Sequence, residues 1–63
     1  MRGVVSAFDE ARCLGTISAE GGEFPFHGVT LADGSRTIEP GTEVDFDVLP
    51  KLGRYEAGNI RRA

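Results

Sequence analysis

The sequence predicts an all-β fold, a small five-stranded antiparallel Greek-key barrel, and three observations carry that prediction. Thr42 to Val48 alternates polar and apolar residues with period two, as a strand with one wet and one buried face must. Other β-prone runs are punctuated by turn residues, Gly21-Gly22 and Glu39-Pro40-Gly41 among them. No segment carries the apolar period of a helix of three turns or more.

The elements follow in chain order. Gly3 to Asp9 and Cys13 to Ser18 read as the first two strands, separated by Glu10-Ala11-Arg12. Gly21-Gly22 supplies a tight turn into Glu23 to His27, where Phe24 and Phe26 point one way and Glu23, Pro25 and His27 the other. Pro25 has no N–H to donate, so this third strand is expected to be unpaired on one side there. After a long connection over residues 28–42, Thr42 to Val48 and Tyr55 to Arg61 form the last pair, joined by Pro50-Lys51-Leu52-Gly53. Three strands close together, a long connection and then two more give the Greek-key order. The expected core is Val5, Phe8, Ile17, Phe24, Phe26, Val29, Leu31, Ile38, Val44, Phe46, Val48, Ala57 and Ile60.

Residues 1–63 read as one domain, with no repeat, linker or low-complexity stretch. A chain this short buries only about 60% of its unfolded surface, so modest stability is expected. Its single cysteine, Cys13, excludes an internal disulfide, and one cysteine with one histidine leaves no ligand set for structural zinc. No cofactor is expected, a reducing cytoplasm fits, and no apolar run reaches the length of a membrane span. No nucleophile–base pair or phosphate loop is present, so an enzyme is not expected. Ten acids outnumber seven bases for a net charge of -3, which disfavours tight, salt-sensitive binding to nucleic acid.

The chain resembles the bacterial cold-shock domain along its whole length. Gly3-Val4-Val5-Ser6-Ala7-Phe8-Asp9 is similar to that family's G-K-V-K-W-F-N opening, and Arg12-Cys13-Leu14-Gly15-Thr16-Ile17 stands where the family has K-G-F-G-F-I. Phe24-Pro25-Phe26-His27-Gly28 sits at V-F-V-H-F. Leu31, Gly41, Val44, Phe46 and Ala57-Gly58-Asn59-Ile60 match the remaining pattern. The resemblance implies an OB-fold barrel that binds single-stranded RNA or DNA, with aromatics on the outer face of the first three strands stacking on bases. Few of those aromatics are carried over. The tryptophan position is Ala7, two further aromatic positions are Leu14 and Thr16, and those flanking the histidine are Pro25 and Gly28. Val4 and Ser6 replace the two lysines of the first strand, while Arg12 and His27 keep both position and chemical type.

The expected function is therefore weak or altered binding of single-stranded nucleic acid through Arg12, His27, Leu14, Thr16, Ser6 and Arg54. The alternative is an OB-fold adaptor for a protein partner, motivated by the acidic balance and by an outward Leu14 beside Val4 and Pro25. Monomer and weak dimer both stay open. Cys13 shares parity with Ile17 and is expected to face inward as a small buried thiol, the other reading being a redox or dimerising role. Where the family has glycine, this cysteine also suggests a changed backbone. Arg54, Lys51, Arg61 and Arg62 are read either as one basic edge or as a solvated hairpin and tail. Asp33-Gly34-Ser35 is read as turn chemistry, and Glu43, Asp45 and Asp47 as the wet face of a strand.

Overall fold

A computed structural model describes residues 1–63. The chain forms β1 (Arg2–Asp9), β2 (Leu14–Ala19), β3 (Gly22–His27), a single 3-10 turn (Gly28–Thr30), β4 (Glu43–Lys51) and β5 (Arg54–Arg62). The strands make one antiparallel sheet in the order β3-β2-β1-β4-β5. The sheet curls so that β3 packs against β5. The segment after the 3-10 turn seals the join: Leu31 bridges Ile60 in parallel, and the Ala32 N–H donates to the Ile60 carbonyl at 2.8 Å. Pro25 lies on β3, paired only with β2, so its missing N–H interrupts no ladder.

Two β-bulges decide which side chains reach the interior. On β1, Val5 pairs with Ile17 but Ala7 pairs with Thr16, leaving Ser6 as the extra residue. The face therefore resets, so Val5 is buried, Ala7 is exposed and Phe8 turns back toward the core. On β5, Asp45 pairs with Arg61 and Asp47 with Gly58, and Asn59 within the irregularity adopts φ 48. Ala57 and Ile60 thereby both reach the core although three positions apart.

Val5, Ile17, Phe26, Leu31, Ile38, Val44, Phe46, Ala57 and Ile60 form the core, with Phe8, Ala19, Phe24 and Val48 half-buried against it. Phe24 and Phe46 pack tilted at a ring separation of 5.4 Å. Val29 departs from expectation: it is 63% exposed, because the 3-10 turn directs Gly28 and Leu31 inward and Val29 to solvent.

The turns are tighter than the sequence suggests. Ala19 pairs with Gly22 and Lys51 with Arg54, so the hairpin loops are the two-residue pairs Glu20-Gly21 and Leu52-Gly53. Gly22 and Pro50 are strand residues. At Glu39-Pro40-Gly41-Thr42 the Thr42 N–H donates to the Glu39 carbonyl at 3.2 Å and Gly41 has φ 93, the geometry of a type II turn.

Cys13 corrects two expectations. It sits just before β2 at φ 57, the left-handed conformation that glycine adopts freely, so the cysteine occupies a glycine-like backbone rather than changing it. It is half-buried at the barrel rim, not inside, with its thiol against the Arg36 carbonyl at 3.5 Å. The neighbouring Gly28 leaves room for it, since a β-carbon there would collide with Cys13 Sγ and lie 2.7 Å from the Arg36 oxygen.

Candidate functional site

A groove of about 500 Å³ runs over one end of β1, β2 and β3 and is bordered by the near end of β5. Its apolar part is made by Ala7, Phe8, Leu14, Pro25 and the edge of Phe26. Phe8 stacks on Phe26 with ring centroids 5.9 Å apart and planes at 17°. Phe26 is fully buried while Phe8 stays half-exposed, so one aromatic ring is presented to the groove from below. Gly15 permits this arrangement, because a β-carbon there would lie 2.6 Å from Phe26 Cζ and 2.7 Å from the Ala7 carbonyl.

Five of the six sequence-predicted site residues line this groove: Arg12, Leu14, Thr16, His27 and Arg54. Leu14 pairs with His27 and Thr16 with Pro25 across β2 and β3, which places all four on one face. Ser6 lies outside the lining. At the bulge its hydroxyl is 2.8 Å from Thr16 Oγ1, 3.3 Å from the Thr16 carbonyl oxygen and 3.5 Å from Glu23 Oε2, alternative acceptors for its single proton. Val4 pairs with Ser18, and the Ser6 and Thr16 hydroxyls separate it from Leu14. Leu14, Val4 and Pro25 therefore do not form one apolar patch; only Leu14 and Pro25 share the groove.

The cations of the groove are already partnered. Asp9 Oδ1 accepts from the N–H groups of Ala11 at 3.0 Å and Arg12 at 3.3 Å, while its Oδ2 lies 3.7 Å from Arg12 Nε. With both side chains largely exposed, that ion pair is weak and Arg12 can leave it readily. Arg54 Nη2 donates to Glu56 Oε2 at 2.7 Å, and here the carboxylate is nearly buried. Phe8 and Glu56 are among the groove residues that sequence reasoning did not assign to the site. For Phe8 a signal was present: Val5 and Phe8 are an inward pair three apart, a spacing that a regular strand cannot have and a bulge can.

Three arginines outside the groove are paired as well. Arg2 donates to both carboxylate oxygens of Asp45, at 2.9 and 3.1 Å. This hydrogen bond, the main cause, holds the Asp45 carboxyl below the usual carboxylate range and raises the Arg2 guanidinium. Arg61 reaches Asp47 at 3.6 Å. Arg62 clamps Asp33 and donates to the Thr37 carbonyl at 3.1 Å, so Asp33 does more than shape its turn, where its Oδ1 accepts the Ser35 N–H at 2.9 Å. Lys51 and Arg54 lie beside the turn of the β4–β5 hairpin and Arg61 and Arg62 at the far end of β5, so no single basic edge forms.

No helix is long and apolar enough to cross a membrane. The chain matches no protein-family profile. It is 34% identical over 62 residues to the cold shock-like protein CspA of Stigmatella aurantiaca (strain DW4/3-1), an alignment that covers 94% of this chain and 91% of that relative.

Proposed function

Because the chain belongs to the cold-shock-like protein family, matched over 94% of its length, we propose that it binds single-stranded RNA or DNA weakly in the groove over β1, β2 and β3. One observation carries this reading: Arg12, Leu14, Thr16, His27 and Arg54 converge on one groove that also holds the face of Phe8. Phe8 and His27 offer π-surfaces to an unstacked base, and Arg12 and Arg54 reach the flanking phosphates. Weakness follows from the same geometry. Both arginines must leave or share a carboxylate before they neutralise a phosphate, and the net charge of -3 opposes approach.

Anisotropy of a labelled pyrimidine-rich oligonucleotide, titrated with protein at low salt, tests the proposal. Binding in the micromolar range or weaker is expected, falling as salt rises. Arg12→Ala is expected to reduce the slope of log affinity against log salt by about 1. No change in anisotropy at millimolar protein would overturn the reading.

A second reading, a protein-binding adaptor, draws on a different place. At the tip of the β4–β5 hairpin Leu52 is fully exposed and Tyr55 is 61% exposed. Capture from cell extract before and after nuclease treatment separates the two, since partners lost with nuclease count against the adaptor.

A further inference from the structure

Glu56 is the one charged residue buried in the protein, at 7% exposure, and it lines the groove. A buried carboxylate needs hydrogen-bond donors to offset its lost hydration. Arg54 supplies one, to Oε2. Oε1 accepts no hydrogen bond within the chain, yet no buried side-chain oxygen is left unsatisfied, so Oε1 keeps access to solvent on a residue that lines the groove. Leu49 is paired with Glu56 across β4 and β5 and lies against Gly58, where a β-carbon would collide with it.

We infer that Glu56 selects a guanine base in the groove, an inference that rests on the single-strand-binding function proposed above. A carboxylate is an acceptor only, with about four lone-pair sites, of which Arg54 uses one. Guanine carries two adjacent donors, N1–H and the N2 amino group, on its Watson–Crick edge. Cytosine and adenine offer an amino group beside a ring-nitrogen acceptor. Uracil and thymine place one N–H between two carbonyls, which the carboxylate repels. Phe8, Leu14 and Pro25 give the base its apolar seat, and the Arg54 guanidinium offsets the carboxylate charge where the backbone phosphate would otherwise be repelled.

The test uses four uridine-rich heptanucleotides that differ only at the central position: guanosine, inosine, adenosine or uridine. Competition anisotropy at low salt is expected to rank guanosine about tenfold tighter than uridine, with inosine, which lacks the N2 amino group, between them. E56Q presents a donor as well as an acceptor and releases Arg54, so all four oligonucleotides are expected to bind somewhat more tightly while the ratio of guanosine to uridine affinity falls to about one. A thermal melt checks that E56Q is folded, and the inosine comparison reads the same contact in the unaltered protein. Equal binding of all four, or an undiminished guanosine preference in E56Q, overturns the inference alone. Failure of all four to bind overturns it together with the function it rests on.

Discussion

The interior of the barrel and the groove over β1–β3 are built to different standards. Inside, Val5, Ile17, Phe26, Val44, Phe46 and Ile60 are buried almost completely, and the β5 bulge brings Ile60 to the core beside Ala57. Across the groove, Ala7, Leu14, Thr16 and Pro25 occupy positions where the family resemblance implies aromatics, and the two arginines are engaged by Asp9 and Glu56. The difference teaches that the fold constrains the inward positions by volume, while the outward ones answer only to what they bind. One barrel can keep its packing and change its ligand chemistry.

The largest predicted effect breaks the interior. Phe46→Ala removes a fully buried ring that touches Phe24 and is expected to cost about 3–5 kcal/mol, enough to unfold much of a domain this small. Leu14→Ala on the groove is expected to stay within about 0.5 kcal/mol in the same urea or thermal melts. Comparable losses at both positions would erase the contrast.

Restoring the groove comes next. Ala7 is exposed on the groove wall, so Ala7→Trp adds a stacking surface without touching the core. Oligonucleotide affinity is expected to rise by about 1–3 kcal/mol with the melting temperature little changed. An unchanged affinity would mean that the groove does not hold a base.

The smallest effect is electrostatic and lies far from the groove. Arg2 lowers the Asp45 pKa, so the stability this pair adds is complete above the ordinary carboxylate range. It is lost as pH falls through the lowered folded-state value. Asp45→Asn is expected to be slightly less stable than the unaltered chain near neutrality, with the gap closing in acid. Melts across an acid pH series check the sign.

The sequence made the interior legible because burial imposes a period, as Val44, Phe46 and Val48 show, and because a Pro-Gly pair names its own turn. It concealed whatever depends on register. A single extra residue at Ser6 moves Phe8 to the groove floor, and the left-handed Asn59 lies where β5 slips against β4. Val29 looked like core until the 3-10 turn faced it outward, and Cys13 shared parity with Ile17 while lying outside β2. Arg2 pairs with Asp45 across 43 residues and Arg62 with Asp33 across 29, so four charges that looked free are not. Glu56 stood unnoticed beside Ala57, since nothing in the sequence marks one acid of a strand as the buried one.

The central claim is that single-stranded nucleic acid sits in the groove shared by β1, β2, β3 and the start of β5. Backbone amide shifts of isotope-labelled protein, titrated with a short single-stranded oligonucleotide at low salt, test it most directly. The account predicts shifts that concentrate at Ala7 to Thr16, Pro25 to His27 and Arg54 to Glu56, with the Leu52 hairpin tip and the Asp33 turn unmoved. Shifts confined to the hairpin tip, or none at millimolar ligand, would contradict it.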